Sequence, residues 1–318
     1  MMSTVLELEN VTKRFGNVVA LNDITFKVRR GQVFGYLGPN GAGKTTTIRI
    51  ITGLLKPDEG TVRLFGKNPY SDDRESLEAK RNIGVVLEKP GCFPHVSVYG
   101  NLLYYGKIYG LKNVHERVIR LLKRFDLWRW RNLKAGALPD EAERKLAIAR
   151  ALLHDPELLI FDEPTSGLDS EGRLEIRRLL RKLARTGKTM FLSSNNFREV
   201  QEMCSHIAII NEGKIVACDE LRKLRKKYAK PMIHVRFHPK IAGNRKQMKE
   251  ICNDIRALGF VRNCMVKADG VLHVELEDFR FSSKLNEFLV RRGLPVLEFK
   301  KRMRSLEDLY GSLVKESG

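Results

Sequence analysis

The sequence predicts an α/β protein with a smaller α+β module at its C-terminal end. A glycine-rich stretch, GPNGAGKTT at 38–46, lies between an apolar run typical of a strand and a segment typical of a helix. Short strands alternate with helices to about residue 220, and several are continuous apolar runs, as expected of strands buried in a sheet. From 231 onward a second alternation in the order βαββαβ favours a ferredoxin-like domain.

The sequence predicts a first domain that covers residues 1–230. Its strand-like runs are LELENVTKRF, ITFKV, QVFGYL, NIGVVLE, LLIFDE, TMFLSS and HIAIIN. Between about 90 and 153 the pattern becomes helical, in VSVYGNLLYYGKIYG, HERVIRLLKRFDLW and EAERKLAIARALL. We therefore expect a helical subdomain inserted between two parts of an α/β sheet.

An accessory domain is expected at 231–318. The basic run RKLRKKYAK at 222–230 ends at Pro231, which disfavours continuation of a helix. MIHVRFH and PVLEFK then read as strands, and NCMVKADGVLHVEL reads as a hairpin that turns at Asp269 and Gly270. The predicted helices are RKQMKEICNDIRALG, KLNEFLVRRG and SLEDLYGSLVK.

Composition narrows the class of protein. The 318 residues are 42% hydrophobic, which is ordinary for a globular protein. No run approaches the ~18 apolar residues that span a bilayer, and the N-terminus lacks the pattern of a secretion signal. Five scattered cysteines form no C-x-x-C pair, which argues against a disulfide framework or a zinc site and favours a reducing cytosol.

The net charge of +20 is compatible with three interpretations. A basic protein can bind nucleic acid, face an anionic membrane, or simply carry a lysine-rich solvated surface. The densest basic run, at 222–230, lacks the interleaved aromatics of a base-stacking platform.

The glycine-rich stretch predicts a nucleoside-triphosphate site. It matches G-x-x-x-x-G-K-[ST] through Gly38, Gly43, Lys44 and Thr45. Glycines let backbone N–H groups converge on phosphates, and the following helix N-terminus adds a favourable dipole. Lys44 can reach the β- and γ-phosphates, and the Thr45 hydroxyl can ligate Mg²⁺.

A second phosphate-handling element is LLIFDEP at 158–164, a buried strand that ends in two acids. An aspartate in this position of a phosphate-loop enzyme holds Mg²⁺, which assigns Asp162. Glu163, one residue further on, is placed to take a proton from an attacking water.

GPNGAGKTT, ARALL at 149–153, LLIFDEPTSGLD at 158–169 and SLEDLY at 305–310 together resemble the ATP-binding subunits of ABC transporters, particularly the exporter ATPases that pair with ABC-2-type permeases. The resemblance implies a P-loop NTPase fold of ABC type, ATP and Mg²⁺ as ligands, and transport-coupled ATPase activity. It also implies a cytoplasmic location on the inner face of the cell membrane, held there by an integral membrane permease, and no specific nucleic acid. Such subunits form head-to-tail homodimers or heterodimers with a second cassette, in which each ATP meets one chain's phosphate loop and the other's signature motif.

By the same resemblance, Phe15 stacks on adenine, 166–169 crosses the dimer interface, and 88–101 contacts the permease. Glu88 stands where the family has a glutamine that senses Mg²⁺ and water, and Asn195 stands where it has a switch histidine. The expected catalytic residues are Glu163, Asn195 and Glu88, and the expected metal ligands are Thr45, Asp162 and Glu88. The expected ATP-binding residues are Phe15, Gly38, Pro39, Asn40, Gly41, Ala42, Gly43, Lys44, Thr45 and Thr46.

The chain departs from the family most clearly in its signature motif. Where the family has a Leu-Ser-Gly-Gly-Gln-like sequence, this chain has Leu138-Pro139-Asp140-Glu141-Ala142. The serine hydroxyl and glycine amides are missing, proline has no N–H, and two carboxylates replace donors near a polyanion. Asn195 can donate a hydrogen bond but cannot titrate, whereas the Glu88 carboxylate can still ligate Mg²⁺. We therefore expect Mg·ATP binding with impaired hydrolysis by the isolated chain.

Two other functions stay open from the sequence. One is a non-catalytic regulatory subunit in which ATP binding is a conformational switch. The other is a soluble ABC-type factor that acts on nucleic acid or ribosomes. Such factors usually carry two cassettes or long coiled coils, whereas this chain has one phosphate loop and no sustained heptads.

Overall fold

The computed structural model describes residues 3–228, 231–267, 269–302 and Tyr310. The chain divides into two compact units, one up to Leu221 and the other from Arg222 onward. Apart from Tyr310, the helix expected at 305–315 and its SLEDLY segment lie outside the described residues. Within the described residues, no helix is both long and apolar enough to cross a bilayer.

The first unit contains two sheets. An antiparallel sheet has the spatial order Val18–Arg29 (β2), Thr4–Phe15 (β1), Glu59–Leu64 (β4). The other sheet has the spatial order Ile83–Val86 (β5), Leu158–Asp162 (β6), Thr189–Ser194 (β7), Val33–Leu37 (β3), His206–Asn211 (β8), Lys214–Glu220 (β9). All neighbours in this second sheet are parallel except β8 and β9. The carboxyl ends of β3, β6 and β7 therefore meet at one edge.

The helices of the first unit follow the predicted α/β alternation. A helical insertion between β5 and β6 is present as predicted, with α3, α4 and α5 as its main helices. The helices are α1 (Lys44–Ile51), α2 (Arg74–Arg81), α3 (Val98–Ile108), α4 (Val114–Arg124), α5 (Asp140–Ala151), α6 (Ser170–Ala184) and α7 (Phe197–Met203). The next helix, α8 (Leu221–Tyr228), belongs to the second unit except for Leu221.

Aromatic side chains join the two sheets of the first unit. Phe34 on β3 stacks with Phe191 on β7 at a centroid distance of 5.9 Å. Phe26 on β2 stacks with Phe34 at 5.3 Å, so the antiparallel sheet is tied to the centre of the parallel one. Such pairs add about 0.5–1.5 kcal/mol each beyond the burial of their area. These aromatic pairs hold β3, which leads into the phosphate loop, against β2 and β7.

Two strands of the first unit escape prediction from the sequence. Strands β4 and β9 lie at sheet edges and are mostly exposed or half-buried. Edge strands need no continuous apolar run, because one side of the strand and much of its surface face water. Their residues therefore lack the signal by which the buried strands are recognised.

The second unit has the strand and helix order expected of a ferredoxin-like module. Its antiparallel sheet has the spatial order Val261–Val266 (β11), Leu272–Leu276 (β12), Met232–Phe237 (β10), Val296–Arg302 (β13). Gly270 adopts a φ of +75° in the turn between β11 and β12, a conformation that favours glycine. The helices are α9 (Pro239–Ala242), α10 (Arg245–Arg256) and α11 (Ser282–Arg291).

Candidate functional site

The phosphate loop joins the end of β3 to the start of α1. A Cβ atom on Gly38 would lie 2.4 Å from the carbonyl oxygen of Ile210, a distance that side chains do not tolerate. Gly43 has a φ of +104°, and its Cβ would lie 2.7 Å from the Ala20 carbonyl oxygen. Both glycines of the motif are therefore required by close backbone approach, which leaves the loop N–H groups at the start of α1.

Lys44 is buried beneath this loop. Its Nζ donates to the carbonyl oxygens of Gly38 and Pro39, each at 2.9 Å. The same ammonium lies 3.1 Å from Oε1 of Glu163. The positive charge is thus held at the centre of the loop, where phosphate oxygens could replace the carboxylate.

The Thr45 hydroxyl and the Asp162 carboxylate lie next to each other below the loop. The Thr45 hydroxyl donates to Asp162 Oδ2 at 3.1 Å, and the Ser193 hydroxyl donates to Asp162 Oδ1 at 2.6 Å. Ser193 is opposite Asp162 in the parallel pairing of β6 and β7. Hydroxyl and carboxylate oxygens are the ligands that Mg²⁺ prefers, so the residues present fit this ion. The sequence motifs do not identify Ser193; only its strand register could have.

Glu163 begins the loop after β6 with a φ of +47°, unusual for a residue with a side chain. Its N–H donates to the Ser193 hydroxyl at 3.1 Å, and its Oε2 accepts from the Asn195 N–H at 3.3 Å. Burial raises the pKa of Glu163 above its ordinary value, although Lys44 opposes this effect. A carboxylate with a raised pKa, aimed into a cleft, suits a general base.

Lys44, Thr45 and Glu163 line one cleft of about 510 Å³. Asn195 Nδ2 donates to Asn40 Oδ1 at 3.1 Å, and Glu88 Oε1 accepts from the Ser166 hydroxyl at 3.2 Å. The structure therefore brings Glu88 and Asn195 to the phosphate loop from two different chain segments. The lining residues are Val18, Val19, Ala20, Asn40, Gly41, Gly43, Lys44, Thr45, Thr46, Glu88, Glu163, Ser166, Asn195, Glu212 and Gly213.

Phe15 has a different environment. It is 49% exposed at the end of β1, with the Lys13 ammonium 5.7 Å from its ring centroid. In the part of the chain that the structure describes, Phe15 is not among the residues lining the cleft, whereas Val18 and Val19 are. Stacking of Phe15 on adenine stays a prediction from the resemblance, and the two valines are additional candidates for apolar contact with the base.

The segment 138–142, which the resemblance aligns with the family's signature motif, lies at the start of α5. Pro139 immediately precedes the helix, which starts at Asp140, so the first turn presents carboxylates. Glu141 lies 2.8 Å from the Lys145 ammonium, which also contacts Glu175. The Lys145 ammonium is shared between two carboxylates, so it balances only part of their charge, and the nearby Glu175 raises the pKa of Glu141.

Arg144 on α5 is a site-supporting residue that the motifs do not reveal. Its guanidinium is buried and donates to the carbonyl oxygens of Leu87 at 2.9 Å and Ser166 at 3.3 Å. Burial lowers its pKa. Arg144 thus connects α5 to the two segments that carry Glu88 and Ser166 into the cleft.

Comparison with known proteins identifies relatives of this arrangement. A family model described as ABC transporter matches residues 21–166. The chain is 35% identical over 319 residues to the bacitracin transport ATP-binding protein BcrA of Bacillus licheniformis, covering 98% of each chain. It is 38% identical over 218 residues to the Nod factor export ATP-binding protein I of Cupriavidus pinatubonensis, covering 68% of this chain and 66% of that one. Among solved structures, a dimeric post-hydrolysis state of the ATP-binding cassette MJ0796 bound to ADP and Pi matches with a TM-score of 0.62 and 29% identity, over 68% of this chain and 99% of that chain.

Proposed function

The chain belongs to the family of ABC transporter ATP-binding subunits, and on that premise we propose that it binds Mg·ATP at its phosphate loop and drives export through a separate membrane permease. The observation that carries this proposal is the convergence of Lys44, Asp162 and Glu163 at the carboxyl ends of β3 and β6. Proteins of this family act as dimers of cassettes with a permease, and several relatives carry export or transport in their names.

Each residue has a proposed role in the cleft. The Lys44 ammonium leaves Glu163 and pairs with the β- and γ-phosphates. Backbone N–H groups of the 38–46 loop surround these phosphates. Thr45 and Asp162 hold Mg²⁺, with Glu88 as a further oxygen donor; the ion, when bound, neutralises phosphate charge. Glu163 accepts a proton from the attacking water, and Asn195 donates a hydrogen bond towards the γ-phosphate.

We further propose that hydrolysis by the isolated chain is weak. Transition-state stabilisation needs preorganised donors around the γ-phosphoryl group. In a homodimer each site would receive Pro139, Asp140 and Glu141 from the other chain in place of a serine and two glycines. In a heterodimer, a partner cassette with an intact signature could complete the site built on this chain's phosphate loop.

An exposed apolar hollow supports the proposed permease contact. A cavity of about 340 Å³ is lined by Leu54, Leu87, Tyr105 and Tyr109, among others, and Leu54 is 73% exposed. Leu87 directly precedes the 88–101 segment that the resemblance assigns to the permease. Exposed apolar clusters of this kind mark protein–protein contacts.

Copurification with a permease tests the function. We expect Leu54→Asp with Tyr109→Asp to abolish capture of the permease, because both residues line the apolar hollow. ATP binding should be retained, because neither residue lines the nucleotide cleft. Leu174→Asp, at an exposed apolar position on α6, is the matched control. Because BcrA matches the chain over nearly its whole length, bacitracin is the first compound to test as cargo.

The second candidate is a regulatory subunit whose ATP binding is a switch without turnover. The altered segment 138–142 and Asn195 favour it, because the segment lacks donors used in hydrolysis and Asn195 cannot titrate as a histidine does. Tight ATP binding with no phosphate release, even in the permease complex, would identify the switch. ATP-dependent transport that is lost with Glu163→Gln would identify the driving subunit.

A further inference from the structure

The second unit contains a hollow of about 910 Å³ that is separate from every motif of the nucleotide cleft. It lies where the ends of β10 and β11 meet α9 and the first turn of α10. Its size falls in the range of about 300–1,000 Å³ typical of small-molecule sites. We call it the accessory-domain hollow and define it by Arg236, Phe237, Arg245, Met248, Lys249 and Lys267.

The interior of the hollow is apolar. Phe237 and Met248 form buried parts of its lining, and Val266 and Leu297 supply exposed apolar surface. Leu297 is 60% exposed, and keeping this apolar surface in water has an unfavourable free energy. An apolar group in the hollow would remove this surface from water, at about 25 cal/mol per Å².

The rim of the hollow is basic. Arg245 and Lys249 are one turn apart on α10 and so project from the same side of the helix, and Lys267 lines the same hollow from the hairpin. Within residues 231–267 and 269–302, none of these three has an ion-pair partner, whereas Arg236 lies 3.4 Å from Glu298. The one acid of the lining, Asp269, accepts a hydrogen bond from the Val271 N–H at 3.2 Å. The rim thus has an excess of positive charge.

The walls are held in place by backbone contacts. A Cβ on Gly270 would lie 3.4 Å from the Ala242 Cβ, so the hairpin turn packs closely on α9. The Gly270 N–H donates to the Lys267 carbonyl at 3.0 Å, and Asn244 caps α10 through the Gln247 N–H at 3.2 Å. A hollow with fixed walls loses little entropy when a ligand binds.

We propose that the accessory-domain hollow binds a small amphiphilic anion, meaning a molecule with one carboxylate or sulfonate group and an apolar body. The anionic group contacts Arg245, Lys249 and Lys267, and the apolar body covers Met248, Val266 and Leu297. Charge complementarity selects the sign of the ligand, and the apolar interior selects its body. This site would give the second unit a ligand-sensing role beyond ATP binding.

Calorimetry on the full-length protein tests the site, with decanoate as the probe. We expect saturable binding of monomeric decanoate, and about ten-fold or more weaker binding after Arg245→Glu with Lys249→Glu. Lys246→Glu, on the same helix but outside the lining, should leave the affinity unchanged. Leu297→Asp should weaken binding, whereas Val290→Asp, at a similarly exposed apolar position on α11, should not.

Three results would overturn the proposal. They are no saturable decanoate binding, equal binding of decanol and decanoate, and affinity that is insensitive to the paired charge reversal. Binding to phosphatidylglycerol vesicles without binding of monomeric decanoate would instead identify a membrane-facing surface and also refute the site. Lys44→Ala should retain decanoate binding, so that failure here is separable from failure of the ATP assignment.

Discussion

The Lys44 ammonium lies 3.1 Å from the Glu163 carboxylate, so the proposed phosphate ligand and the proposed general base neutralise each other within the cleft. Burial nevertheless raises the pKa of Glu163, which means that Lys44 does not fully compensate for the loss of water. A triphosphate that binds would pair with Lys44 in place of Glu163. The Glu163 charge would then remain close to phosphate oxygens. ATP binding should therefore depend on the charge of Glu163.

Glu163→Gln is expected to tighten ATP binding by about three-fold or more, because it removes a negative charge near the phosphates. Since the Glu163 pKa is raised, Glu163 becomes protonated at a higher pH than an ordinary glutamate does. The affinity ratio of variant to wild type should therefore shrink as the pH falls through that raised pKa and be largest above it. Isothermal titration of both proteins across pH gives this ratio, in which the ligand's own titration cancels.

A ratio that stays constant as the pH falls to the range in which an ordinary glutamate titrates would contradict the raised pKa, because Glu163 would then keep the same charge throughout. Weaker ATP binding by Glu163→Gln would show that the carboxylate positions Lys44 rather than competing for it.

Lys44→Ala is expected to abolish ATP binding and to leave the chain folded. The ammonium is directed at phosphate, and Glu163 can take up a proton when its partner is removed. Fluorescence anisotropy with a labelled ATP analogue measures the loss, and circular dichroism checks the fold. Lys56→Ala, at an exposed lysine outside the cleft lining, is the control. Equal affinity of Lys44→Ala and wild type would refute the phosphate-loop assignment.

Deletion of 231–318 is expected to leave ATP affinity nearly unchanged. Among the described residues, those lining the nucleotide cleft all lie before 214, and the first compact unit closes at Leu221. Titration of ATP into the truncated and full-length proteins tests this independence. A large loss of affinity in a soluble, folded truncation would mean that the accessory domain completes the site.

The substitutions Pro139→Ser, Asp140→Gly and Glu141→Gly, made together with Asn195→His, are expected to raise phosphate release by about ten-fold or more, equivalent to about 1.4 kcal/mol of barrier. The change restores donors at the start of α5 and a residue that can hold water and the γ-phosphate. Glu141→Gln alone should have a small effect, because it does not restore the missing hydroxyl and backbone N–H donors. Adding a second cassette with an intact signature should partly reproduce the gain.

Rapid and cooperative ATP hydrolysis by the unmodified chain alone would contradict this prediction. It would mean that the start of α5 is not the cap of the γ-phosphate, or that another loop replaces it. A phosphate-release assay on the purified chain, with Glu163→Gln as the inactive reference, distinguishes these outcomes.

Much of the fold is readable from local pattern. Strands β3 and β6 are continuous apolar runs because both faces are covered, and the helical insertion shows its own periodicity. Strands β4 and β9 lack such a pattern because they lie at sheet edges and are stabilised by pairing with their neighbours. Propensity alone could not place them.

The sequence by itself determined the prediction of a phosphate site, since Gly38, Gly43, Lys44, Asp162 and Glu163 belong to short motifs in which chain neighbours act together. Only the tertiary structure decided which distant residues join them: Ser193 reaches Asp162 through the parallel register of β6 and β7, and Arg144 reaches the segments around Leu87 and Ser166 from α5. The accessory-domain hollow has the same origin, because its rim combines α10 with the β11–β12 hairpin. Motifs record contacts between neighbours in the chain, whereas strand register and packing bring together residues that the chain keeps far apart.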